Sequence, residues 1–142
     1  MVIRKMNEVD FEEVSIIANA SFDDFNREDF LKMLNDTNYL IFVAEENGSV
    51  CGFVIFLRID DKLEIIKIAT AVDKRGQGVA TKLLESLENW GKTNQKIGII
   101  LEVNEKNLKA RQLYDKVGFR TIHIRKKYYK ATDDALIMEK LF

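Results

Sequence analysis

Val72-Asp73-Lys74-Arg75-Gly76-Gln77-Gly78-Val79-Ala80-Thr81-Lys82-Leu83-Leu84 is the stretch on which the reading of this chain turns. A β-like run, Leu63 to Thr70, precedes it. An amphipathic helix follows, with Ala80, Leu83, Leu84, Leu87 and Trp90 at i, i+3, i+4 spacing. Two glycines at a strand-to-helix junction let the backbone turn sharply and approach a ligand closely. The first N–H groups of a helix have no intrahelical partner and lie at the positive end of its dipole. That geometry binds phosphate or pyrophosphate. On the glycines alone, a plain Gly-rich turn into a helix fits equally well. A Walker A loop is excluded, because Gly78 is followed by Val79 and Ala80 rather than by Lys and Ser or Thr. A dinucleotide fingerprint is excluded too, because Thr81 stands where its third glycine belongs.

The 142 residues suffice for one domain, residues 1–142, with a real core. Hydrophobic residues make up 46% and charged residues 32%, as in ordinary globular proteins. A net charge of −1 implies no general attraction to nucleic acid or to a membrane surface. Cys51, the one cysteine, lies in an apolar run and reads as a buried free thiol, and a single distant His completes no zinc site. Charges interrupt the N-terminus at once, so no signal peptide is expected, and no apolar run would span a bilayer. A cytoplasmic enzyme or binding domain, monomer or weak dimer, without a metal, is the expectation.

Outward from the loop, Val2 to Met6 reads as a strand. Asn7 or Asp10 caps a helix with Phe11, Val14, Ile17, Ala18 and Phe22 on its apolar face. Phe22-Asp23-Asp24-Phe25-Asn26 reads as a loop, and Arg27 to Leu34 as a helix with Phe30, Leu31 and Leu34 inward. Tyr39 to Glu45 and Ser49 to Ile59 make a hairpin around Glu46-Asn47-Gly48. Leu63 to Ala71 is the fourth strand. After the helix from Gly78 to about Lys92 come a strand, Ile97 to Val103, and a helix with Ala110, Leu113, Tyr114 and Val117 on one side, ended by Gly118. Phe119 to Tyr128 and Ala135 to Leu141 form a closing hairpin across Lys130 to Asp134. Strand, helix, strand in the middle implies a parallel pair. The predicted class is α+β: a mostly antiparallel, twisted sheet of about seven strands with a central parallel βαβ unit and four helices.

Within Ile97 to Val103, Glu102 falls on the face of Gly98 and Ile100, opposite Ile97, Ile99 and Leu101. A strand beside a parallel neighbour is usually covered on both faces, where an ionised carboxylate is costly unless paired or lining a wet cleft. A salt bridge or an exposed strand end explains it without a catalytic role. Tyr114 reads from periodicity as a core aromatic, and Asn107 as a helix cap. His123, alone on a strand, and the Lys126-Lys127 pair read as surface features.

Arg75, Gly78 and Ala80 resemble the R/Q-x-x-G-x-G/A signature of the GNAT superfamily of N-acetyltransferases. Asn107, Ala110, Leu113-Tyr114 and Gly118-Phe119 resemble that family's N-x-x-A-x-x-L-Y-x-x-x-G-F segment. Leu101-Glu102-Val103, Ile124-Arg125-Lys126, Tyr128-Tyr129 and Asp134-Ala135-Leu136-Ile137-Met138 are similar to the RimI-type ribosomal-protein-alanine N-acetyltransferases within it. The likeness implies the GNAT fold and acetyl transfer from acetyl-coenzyme A as cosubstrate. It implies pyrophosphate held by Arg75, Gly76, Gln77, Gly78, Val79, Ala80 and Thr81, and pantetheine held along Ile68, Ala69, Thr70 and Val72, with Asn107 and Tyr114 nearby. Glu102 becomes the candidate base, directly or through one water, and Tyr114 the candidate acid for the leaving thiolate. Glu64, Tyr128 and Tyr129 become candidate acceptor contacts. The Phe22 to Asn26 loop departs from the group, whose members carry prolines and a tryptophan there.

The expected acceptor is a protein N-terminus, that of a small-subunit ribosomal protein beginning with alanine. An α-amino pKa near 7.7–8.0 lies about 2.5 units below that of lysine, roughly 3.4 kcal/mol less for a base to supply. A small amine (a polyamine or an aminoglycoside) is the alternative that Asp23-Asp24 would suit. A non-catalytic acyl-coenzyme A-binding module is a third reading, one that needs neither Glu102 nor Tyr114.

Overall fold

The computed structural model describes residues 1–129 and 132–142, with the backbone alone at Tyr128 and Tyr129. In chain order the elements are β1 (Val2–Lys5), α1 (Phe11–Ser21), α2 (Arg27–Leu34), β2 (Tyr39–Glu46), β3 (Ser49–Ile59), β4 (Lys62–Thr70), α3 (Val79–Thr93), β5 (Gly98–Asn104), α4 (Leu108–Lys116), β6 (Arg120–Tyr129) and β7 (Asp133–Leu141). Short 3₁₀ turns, Glu8–Asp10 and Val72–Lys74, lead into α1 and into the loop before α3. The strands form one seven-stranded sheet in the order β1-β2-β3-β4-β5-β7-β6. β4 and β5 are parallel, while β1 with β2, β2 with β3, β5 with β7 and β6 with β7 are antiparallel. This is the mixed α+β architecture that the sequence pattern predicts. The predicted turn from Lys130 to Asp134 falls partly on residues 130 and 131, outside the described residues. By its contacts the chain divides into two compact units, residues 1–58 with 66–87, and residues 59–65 with 88–142.

In the first unit, Val14, Ile17 and Ala18 of α1 pack with Phe30, Ile41, Val43, Phe53 and Ile55. The i, i+3, i+4 spacing places those α1 residues on one stripe. The rotation of α2 differs from expectation. Phe30 is buried, but Leu31 and Leu34 are 44% and 38% exposed. Phe30 stacks on Phe11, ring centroids 5.2 Å apart, and meets Phe25 edge-on at 5.9 Å. Those aromatic contacts turn Phe30 and Met33 inward and Leu31 and Leu34 outward. Gly52 on β3 admits the first turns of α3, since a Cβ there would sit 2.6 Å from Val79 Cγ1 and 3.0 Å from the Ala69 carbonyl.

Arg4 ties this unit together by reaching Asp10 at 2.7 and 2.9 Å and Glu45 at 2.7 Å. Asp10 is only 3% exposed. Its hydrogen bonds from Arg4 hold the carboxyl below its ordinary value, outweighing the opposing effect of burial. A carboxyl lowered in the folded state contributes stability above the unfolded pKa and loses it as pH falls through the folded one. Asp10→Asn is therefore expected to cost about 1–3 kcal/mol at pH 7 in urea unfolding. The difference from wild type should fade below about pH 4.

In the second unit, β4 pairs with β5 through Lys62, Leu63 and Glu64 opposite Gly98, Ile99 and Ile100. Leu63, Ile99, Leu101, Val103, Leu136 and Met138 fill one face of the sheet and are almost fully buried. β5 is not equally covered on its other face, as the sequence reading expects of it: Ile100 and Glu102 there are only half-buried. β7 is the inner strand of the closing hairpin, with Ala135, Leu136, Met138 and Glu139 all buried. β6 is the edge, exposed throughout Arg120 to Lys127. Two register shifts, between Thr121 and His123 and between Arg125 and Tyr129, interrupt its ladder with β7. Bulges and lysines on an edge strand discourage further pairing.

Candidate active site

The loop before α3 takes the backbone path that its glycines permit. Gly76 and Gly78 have φ of +76° and +83°, and among the described residues nothing beyond the chain neighbours lies within 4 Å of where a Cβ on either would stand. The Lys82 amide donates to the Gly78 carbonyl at 3.1 Å, the first bond of the helix. The amides of Val79, Ala80 and Thr81 precede that bond and are the outward donors of a helix N-terminus. Arg75 is exposed, and its guanidinium is steadied by the Thr70 carbonyl at 3.3 Å and by Ser21 Oγ at 3.4 Å. Gln77 donates to the Asp73 carbonyl at 3.2 Å. Open space, left-handed glycines, a helix start and a fixed cation suit a pyrophosphate. Ile68, Ala69 and Thr70 lie beyond the part of β4 that pairs with β5. Val72 begins the 3₁₀ turn and is 65% exposed.

Glu102 sits on β5 opposite Ile137 of β7. Its carboxylate is not isolated: Arg125 Nη1 lies 3.1 Å from Oε1. The pairing that would explain a carboxylate on this strand is thus present, made by a residue to which the sequence pattern assigns no role. Tyr114 on α4 is buried, its ring 5.5 Å from that of Phe119. Burial pushes its hydroxyl up to about 12, so it stays protonated across the neutral range. Asn107 is the cap of α4, its side chain accepting from the Ala110 amide at 3.3 Å.

Glu64 is half-exposed on β4 and stands opposite Ile100 in the parallel ladder, so it shares a sheet face with Glu102. The side chains of Tyr128 and Tyr129 lie outside the described residues. In the first unit, a cavity of about 180 Å³ opens among α1, the α1–α2 connection, α2, β3 and β4. Phe25, Phe30, Phe53 and Ile55 give it apolar walls, and Asp24, Asp29 and Lys67 also line it. Asp24 is paired with Lys67 at 3.4 Å, and the same ammonium lies 4.4 Å from the Phe22 ring centroid. Lys67 offsets part of the acidity that the Asp23-Asp24 pair suggests in sequence. No group of His, Cys, Asp and Glu that could hold a metal ion occurs among the described residues. None of the described helices is long and apolar enough to cross a membrane.

Residues 5–119 match the acetyltransferase (GNAT) family. The chain is 31% identical to an uncharacterized N-acetyltransferase of Methanocaldococcus jannaschii over 142 residues, 99% of this chain and 91% of the relative. It is 35% identical over 103 residues, 70% of each chain, to the ribosomal protein bS18-alanine N-acetyltransferase of Escherichia coli strain K12. The crystal structure of the ribosomal-protein-S18-alanine N-acetyltransferase from Escherichia coli superposes with a TM-score of 0.88 at 27% identity, over 99% of this chain and 92% of that one. An aminoglycoside 6'-N-acetyltransferase complexed with coenzyme A shares the fold, with a TM-score of 0.88 at 15% identity over 99% of this chain and 97% of its own. The chain belongs to the GNAT family and is an N-acetyltransferase. Enzymes of that family draw their acetyl group from acetyl-coenzyme A.

Proposed function

We propose that this enzyme acetylates the N-terminal α-amino group of a protein, with a ribosomal protein beginning with alanine as the acceptor. The observation that carries the reading is the 35% identity to the bS18-alanine enzyme of Escherichia coli. An α-amine, partly neutral at pH 7, also demands less of a base than a lysine does. In this reading the amine nitrogen attacks the thioester carbonyl and the C–S bond breaks. The amine proton passes to the Glu102 carboxylate, directly or through one water, and the Tyr114 hydroxyl protonates the departing thiolate. Arg75 and the amides of Gly76 to Thr81 hold the pyrophosphate, and the backbone of Ile68 to Thr70 with Val72 holds the pantetheine arm. Asn107 acts beside that arm as well as capping α4. Glu64, Tyr128 and Tyr129 contact the acceptor. The protein works in the cytoplasm as a monomer or weak dimer, without a metal.

A small-amine acceptor is the second reading, favoured by the acidic Asp23-Asp24 pair and weakened by the Lys67 ion pair with Asp24. Incubation with acetyl-coenzyme A and a panel of peptides, polyamines and aminoglycosides, read by mass spectrometry, separates the two. Acetylation at the α-amine of an alanine-initiated peptide is the expected result. Tyr128→Ala or Tyr129→Ala should then raise the peptide KM with little change in coenzyme A affinity. Acetylation of polyamines or aminoglycosides alone would overturn the protein-acceptor reading.

A further inference from the structure

The ion pair between Arg125 and Glu102 depends on an irregularity in β6. Arg120 stands opposite Glu139 and Thr121 opposite Met138, but His123, not Ile122, stands opposite Ile137. Without that register shift, strict alternation would put Ile122 and Ile124 on the Glu102 face and Arg125 on the other. The extra residue reverses the assignment. His123 and Arg125 share a face with Ile137 and Ala135, and Ile137 is the partner of Glu102. A one-residue bulge is a common way to re-aim a side chain beside an active site. Arg125 also has a suitable surface to cross. Its partner Ala135 is fully buried and carries only a methyl group, and the guanidinium spans β7 to reach Glu102 at 3.1 Å.

We infer that Arg125 is a positioning residue for Glu102, placed by the bulge in β6 so that its guanidinium fixes the orientation of the carboxylate that takes the amine proton. The inference rests on the proposed role of Glu102 as base. The Arg125 side chain is about half exposed, at 50%. An ion pair so exposed is a weak source of stability, and its value here lies in geometry. A misplacement of about 1 Å in a reacting group costs on the order of 100-fold in rate. Arginine presents a rigid planar fork, whereas lysine offers a mobile point charge. The Arg125→Lys substitution would keep the charge without the fixed orientation.

The test is a double-mutant cycle on the full chain, with an amine that the wild-type enzyme acetylates as acceptor. Arg125→Gln is expected to lower kcat by about 10- to 100-fold. Acceptor KM, coenzyme A affinity by calorimetry and thermal midpoint should stay near wild type. Arg125→Lys should recover part of the loss. In a Glu102→Gln background, Arg125→Gln should have no further effect on kcat, since a residue acting only through Glu102 has nothing left to position. Additive losses, or a rise in KM with kcat unchanged, would mean that Arg125 meets the acceptor itself, and the inference fails. Wild-type kcat in Arg125→Gln overturns it as well. Full activity in Glu102→Gln would instead overturn the assignment of the base, a separate and distinguishable outcome. If Arg125→Gln unfolds, the Arg125→Lys variant in both backgrounds supplies the same comparison.

Discussion

Glu102→Gln is expected to lower kcat by about 10²–10⁴-fold at neutral pH, the range typical of a positioned acid or base. Glutamine keeps the size and planarity of the side chain but cannot take a proton. The Arg125 side chain it faces is half exposed, and an ion pair so exposed adds little stability, so folding and coenzyme A affinity should change little. The loss should shrink as pH rises, because the acceptor amine then deprotonates without help. Tyr114→Phe should lower kcat over the same range of about 10²–10⁴-fold without that recovery. The group it serves is the leaving thiolate, whose reference pKa lies near 8.5. Because burial holds Tyr114 at about 12, its own ionisation should not enter the profile below about pH 11. Profiles of kcat/KM against pH for both variants are the measurement. Full activity of Glu102→Gln at pH 7 would make the carboxylate structural and bulk water the proton acceptor.

Gly78→Asp is expected to remove most of the affinity for coenzyme A. The backbone there has φ of +83°, a left-handed conformation that costs a side-chain-bearing residue about 1–2 kcal/mol. None of the described residues beyond its chain neighbours lies within 4 Å of the added Cβ, so the fold should survive. The main effect should come from the carboxylate, set against phosphates in the space beside the loop. Juxtaposed like charges cost several kcal/mol, which corresponds to a loss of more than about 100-fold in Kd. Gly78→Ala separates the contributions, since it adds the backbone strain without the charge. Calorimetry with coenzyme A on both variants checks the prediction. Unchanged affinity in a folded Gly78→Asp protein would take the loop out of the pyrophosphate assignment.

Local patterns determine much of this protein without any tertiary contact. Two glycines between a β-like run and an amphipathic helix mark the loop, because few other residues adopt positive φ there. The i, i+3, i+4 stripe in α1 and the Asn107 cap of α4 are set within a few residues, and both follow from short-range sterics and hydrogen bonding. The family, too, was legible in the R-x-x-G-x-A and N-x-x-A-x-x-L-Y spacings.

Other features depended on partners far away in sequence. The rotation of α2 hinged on Phe30 meeting Phe11 and Phe25, which periodicity over eight residues cannot specify. The order β5-β7-β6 was decided by burial: β7 has apolar residues to bury on both faces, and β6 has charges to leave in water. The partner of Glu102 was the least visible. Alternation along Arg120 to Lys127 puts Arg125 on the wrong face, and only the bulge in the β6–β7 ladder corrects it. A bulge is set by the ladder as a whole rather than by a local residue preference. The loop and the helices were therefore written in the sequence, whereas the guanidinium beside the proposed base was placed by the sheet.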